Sequence, residues 1–131
     1  MRNIEIVRGY RTYGHEDVYA TDPTVEVLDG DIIAPDGTKV TLTDTHLECG
    51  IAIQPSNLGA TDYREASLKT PVYISNFVVR TKRIAAATYA VSDAISVKDG
   101  LPCKVDATNT IVWGYVSKVG TDGSIDIRVN Y

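Results

Sequence analysis

Apolar and polar residues alternate along much of this chain with the period of a strand. Ile125, Ile127 and Val129 share one parity, and Asp126, Arg128 and Asn130 share the other. Successive side chains of a strand point to opposite faces, so this run predicts a half-buried strand at the end of the sequence. Ile51 with Ile53, Ile95 with Val97, and Val40 with Leu42 form shorter rows of the same kind. Between Pro71 and Val79 the parity flips: Val72 and Ile74 share one, Phe77 and Val79 the other. The flip falls near Ser75-Asn76 and predicts either a bulge or a break between two elements. Two short segments are expected to hold one helical turn each: Thr61–Lys69, with Asp62 as its cap, and the alanine-rich Ile84–Ala90. Pro55–Ala60 reads as a loop.

Turn signals punctuate these runs. Asp-Gly pairs stand at 29–30, 36–37, 99–100 and 122–123. Glycine takes positive φ at little cost and Asp tolerates it better than most residues, so such pairs favour tight hairpins. Hairpins are predicted around Asp36-Gly37 and Asp122-Gly123, the second joining Val112–Val119 to Ser124–Tyr131. The start of the chain is different in character. Arg2, Arg8 and Arg11 are interleaved with Tyr10, Tyr13 and Tyr19, and periodicity is weak after Val7. It reads as an extended N-terminal arm over residues 1–23, with one short strand at Ile4–Val7, ahead of a domain over residues 24–131.

Composition strengthens the β reading. The chain has 15 Val and 12 Ile against 6 Leu and 1 Met. Branching at Cβ restricts rotamers in helices and packs well on a pleated sheet. Short strands with frequent turns point to a mainly β fold, a compact β-barrel or sandwich of short antiparallel strands. At 131 residues, one domain can bury a core without a disulfide or metal. Cys49 and Cys103 lie in no C-x-x-C spacing and are expected to be reduced thiols. Residues 1–8 lack the apolar run of a signal peptide, and no stretch approaches transmembrane length. No membrane partner is expected. The net charge of −4 argues against a nucleic-acid partner, which would call for a clustered basic field.

Catalytic signatures are scarce. The chain has no G-x-S-x-G elbow, no phosphate loop and no G-x-G-x-x-G turn. Asp44, His46 and Glu48 would share a strand face and could ligate a divalent metal, which would make a metal-dependent hydrolase. The plainer alternative, a solvated polar face, is preferred. Asp29 and Asp31 flank Gly30 without the pattern of a Ca²⁺ loop, so a turn is expected. Trp113 and Tyr115, two apart, should share a face. They would serve as a stacking platform for bases or sugars, or Trp113 would anchor the core; the core role is preferred. Arg80, Lys82 and Arg83 form the densest basic cluster and read as solvated surface. No catalytic, cofactor-binding or metal residue is assigned, and no enzyme activity or cofactor is expected. The arm supplies the candidate partner-binding residues: Arg2, Ile4, Ile6, Arg8, Tyr10, Arg11 and Tyr13. Tyr and Arg are enriched at interface hot spots, and Ile4–Val7 could add a strand to a neighbour's sheet edge. A frayed terminus is the alternative.

The stretch Ala85–Tyr131 resembles the small capsid decoration proteins of tailed bacteriophages, also called cement or auxiliary head proteins. The residues that carry the resemblance are Ser92–Gly100 (SDAISVKDG), Ile111–Val116 (IVWGYV) and Gly123–Val129 (GSIDIRV). It covers about the last third of the chain. The resemblance implies a β-rich, barrel-like domain on the outer surface of a virion capsid, present in the host cytoplasm during assembly. Its partner would be the major capsid protein, which it would bridge and stabilise as a homotrimer on the capsid, with a terminal arm as clasp. Binding only the assembled lattice would stabilise it by mass action, and many small contacts would add through multivalency. A fibre, tail or glycan-binding adhesin module is the alternative virion component.

Overall fold

The computed structural model describes residues 4–9, 16–20, 26–43, 48–53, 69–73 and 77–129. Ten strands run through them: β1 (Ile4–Gly9), β2 (Glu16–Ala20), β3 (Ile32–Ile33), β4 (Gly50–Ala52), β5 (Lys69–Tyr73), β6 (Phe77–Thr81), β7 (Ala94–Lys98), β8 (Leu101–Lys104), β9 (Gly114–Val119) and β10 (Ile125–Val129). They form two sheets, a six-stranded one in the order β1-β6-β10-β9-β7-β8 and a four-stranded one in the order β2-β5-β4-β3. Every pairing is antiparallel. The fold is therefore mainly β, and the six-stranded sheet stays open, with β1 and β8 at its edges.

The parity flip in Pro71–Val79 separates two elements. β5 belongs to the four-stranded sheet and β6 to the six-stranded one, so the chain changes sheets where its apolar face changes side. Residues 1–23, read from the sequence as an extended arm, contribute a strand to each sheet. β1 pairs with β6 and β2 with β5. Tertiary pairing organises a segment whose own periodicity is weak. Ile84–Ala90 forms no helical turn. Its backbone is instead held by one tertiary bond, Ala85 N–H to the Pro102 carbonyl, and one local bond, the Tyr89 hydroxyl to the Ala85 carbonyl. Thr61–Leu68 lies outside the described residues.

All four Asp-Gly glycines adopt positive φ, between 80° and 95°. Asp122-Gly123 joins β9 to β10 as expected. At Asp36-Gly37 the chain reverses through Ala34 N–H to Thr38 O, with an antiparallel bridge between Ile33 and Lys39. Asp99-Gly100, for which no hairpin was expected, joins β7 to β8 in a two-residue loop. Both its residues have positive φ, 51° and 80°, as a type I′ turn requires.

One apolar cluster lies between the sheets. Ile4, Phe77, Val79, Ile95, Val97, Val116, Ile125, Ile127 and Val129 enter it from the six-stranded sheet, and Ile32 and Ile51 from the other. Trp113 completes it, 2% exposed and edge-on to Phe77 with ring centroids 6.2 Å apart. The connection after β3 laces the sheets together. Val40 N–H donates to Ile32 O, Gly100 N–H to Val40 O, Ile32 N–H to Gly100 O and Leu42 N–H to Val97 O.

Candidate interaction surface

The six-stranded sheet buries one face in the core, and its opposite face carries the polar residues of the same strands. Strand register decides how those residues line up. Glu5 on β1 is opposite Arg80 on β6, Arg80 is opposite Asp126 on β10, and Asp126 is opposite Lys118 on β9. Four strands thus present one row of charges that alternates in sign. Its centre is tightly held. Arg80 Nε donates to Asp126 Oδ1 at 2.9 Å and its Nη2 to Oδ2 at 3.3 Å, the fork geometry that suits a carboxylate. Arg80 also lies 3.7 Å from Glu5. The hydrogen-bonded Asp126 carboxylate, with help from Glu5 and Asp122, pushes the Arg80 guanidinium above its ordinary range.

Beside this row runs a second. Val78, Arg128 and Tyr115 are in register across β6, β10 and β9. Two shallow grooves cross the face. One, lined by Val7, Val78, Lys118 and Arg128, follows the second row. The other, lined by Arg80, Lys118, Asp122 and Ser124, opens toward the β9–β10 turn. Val7 and Tyr115 are large apolar side chains left 43% and 46% exposed on this side. The Ser124 hydroxyl and N–H grip the Asp122 carboxylate and lower it to about 2.

The basic cluster at 80–83 is partly solvated, as read from the sequence, and each of its charges is also paired. Arg80 pairs with Asp126, Lys82 with Asp122 at 3.5 Å, and Arg83 with Asp31 at 2.6 Å. Asp31 is fully buried and also takes Lys39 at 3.6 Å and the Leu28 N–H at 2.9 Å. The Asp29-Gly30-Asp31 segment is thus a turn whose second carboxylate is spent on structure.

Trp113 and Tyr115 do not share a face. Trp113 is in the core and Tyr115 is exposed. The chain enters β9 at Gly114, where a Cβ would sit 2.5 Å from the Arg128 carbonyl oxygen, and strand parity runs from that point to the bulge at Ser117. A two-residue platform is ruled out by this break. Of the residues proposed for partner binding, Ile4 is 5% exposed in this chain's own core and Ile6 packs against it. The backbone of Arg8 is paired opposite Val78 in the ladder. Arg2, Tyr10, Arg11 and Tyr13 lie outside the described residues, as do Asp44 and His46; Glu48 is exposed. No three metal-ligating side chains gather among the described residues. Cys49 and Cys103 are free thiols, and burial pushes Cys49 up to about 12.

Sequence reasoning missed the charged row. Glu5, Arg80, Asp126 and Lys118 each carry the right polarity for an outward face, but they come from segments far apart in the sequence whose register only pairing sets, and bulges at Val7 and Ser117 shift that register. No family model matches the chain, and neither a curated protein nor a solved structure does.

Proposed function

We propose that this chain is a non-enzymatic structural protein that binds the outer surface of a phage capsid and stabilises contacts between major capsid subunits. The resemblance of Ala85–Tyr131 to decoration proteins motivates the reading, and a sandwich of two short-stranded sheets is the fold we assign it. One observation supports it further. β1 is an edge strand, paired with β6 and with no other described strand on its free side. An edge is where a partner's extended segment adds to a sheet, and main-chain hydrogen bonds then supply affinity. Arg2, Tyr10, Arg11 and Tyr13 flank this strand in the sequence, with the side-chain types that dominate protein interfaces.

Deleting the whole segment would remove Ile4 from the core, so the test is a substitution. Full-length chain and its R2A/Y10A/R11A/Y13A variant are each sedimented with purified expanded capsids. The wild type is expected to pellet with capsids and the variant to stay in solution, with both showing the same β-sheet circular dichroism. A wild type that never pellets would end the capsid reading; a variant that pellets equally would remove the clasp.

A further inference from the structure

We infer that the charged face of the six-stranded sheet is a self-association surface, and that its occupant is a second copy of this chain. The row Glu5, Arg80, Asp126, Lys118 reads minus, plus, minus, plus across β1, β6, β10 and β9. Such a row complements its own reversal. A two-fold axis lying in the plane of contact, parallel to the strands and between β6 and β10, reverses the row on the second copy. Glu5 then faces Lys118 of the partner subunit, while at the centre the Arg80–Asp126 pair, its carboxylate already nearly buried against its own Arg80, lies over the same pair of the second copy in reversed order. The same operation returns the first contact a second time, as an isologous interface must.

The neighbouring residues obey the same symmetry. Val7 lies at the β1 side of the face and Tyr115 at the β9 side, each with nearly half its surface open. Reversal sets Val7 against Tyr115 of the partner subunit, apolar on apolar. The alternative two-fold, across the strands, places Glu5 on Glu5 and Arg80 on Arg80. Like charges brought together oppose it, so the charge order selects one geometry. The Val7–Tyr115 contacts supply affinity, while the exposed pairs of Glu5 with Lys118 of the partner subunit set register.

The inference does not rest on the capsid reading, since a chain that ignores capsids would still pair with itself. The test is sedimentation equilibrium on the full chain and on two variants, Glu5→Lys and Lys118→Glu, with circular dichroism to confirm that each is folded. The wild type is expected to be a dimer in the concentration series. Each variant alone opposes like charges at both symmetric contacts and should dissociate about tenfold more readily or worse. An equimolar mixture of the two variants should recover the dimer, because lysine at position 5 then meets glutamate at 118, and lysine at 118 meets the native Glu5. A simple loss of stability cannot produce that rescue. A monomeric wild type would assign the face to a different partner and overturn the inference. So would variants that dimerise unchanged, or a mixture that stays monomeric.

Discussion

Asp31 shows how one residue can serve two sheets. Its carboxylate is fully buried beside β3, and it binds Arg83, which follows β6, together with Lys39 and the Leu28 N–H. Its backbone meanwhile accepts from Ala52 and donates to Leu28. Removing one partner of a buried ion pair leaves charge without compensation, a larger loss than the pair's net worth. Asp31→Ala is expected to lower the unfolding free energy by about 3 kcal/mol, the low end for such a loss because Arg83 keeps some access to water. Asp31→Asn, which can still accept from Leu28, should cost less. Urea denaturation of the three proteins checks the order, and an alanine variant as stable as wild type would deny the carboxylate its clamping role. Nothing in the local sequence distinguished Asp31 from Asp29; the difference is which one faces Arg83, 52 residues away.

Among the elements, the β7–β8 hairpin carries the clearest demand on sequence. Gly100 has φ of +80°, and its N–H and carbonyl are both used by the β3 connection. A Cβ there would stand 3.1 Å from Lys39 Cβ and 3.3 Å from the Ile32 carbonyl oxygen. Gly123, in the β9–β10 turn, has a similar φ of +87° but open space around it. Gly123→Ala should therefore cost only the backbone strain, about 1 kcal/mol, whereas Gly100→Ala adds crowding and should cost about 2–3 kcal/mol. Thermal unfolding of both variants separates the two effects, and equal losses would show that Gly100's surroundings are easily displaced. Both turns were visible as Asp-Gly pairs. That one is packed and the other free depends on the chain from β3 passing over the first.

At the scale of the whole molecule, the turns make stability sensitive to acid. Asp122 is held down by the Ser124 hydroxyl, Asp36 by the Thr38 hydroxyl, Asp106 by the Asn109 N–H and Asp93 by the Ala90 N–H. Each carboxylate titrates lower in the folded chain than in the unfolded one, so the unfolded chain takes up protons first as pH falls. The stability they contribute is complete above about pH 4, the usual range for free Asp, and is lost progressively below it. For Asp122 the loss finishes only below about 2. The melting temperature should fall between about pH 4 and about pH 2. The part of the fall that comes from Lys82 beside Asp122 and Lys104 beside Asp93, both solvent-accessible pairs, should weaken in high salt. A melting temperature that is flat across this window would show that these turns add nothing to the fold.

By itself the sequence determined the mainly β character, the strand–turn–strand at Asp122-Gly123, the flip between β5 and β6, and Trp113 as a core residue. All of these follow from local chemistry: Cβ branching, period-two alternation, positive φ at glycine and the cost of leaving an indole in water. Tertiary structure alone decided that β1 and β2 belong to separate sheets, that Arg80, Lys82 and Arg83 each answer a different carboxylate, and that four distant charges form one alternating row. Those facts depend on register between strands as far apart in sequence as β1 and β6. A slip of one residue would turn every side chain to the other face, and only the packed core excludes that slip.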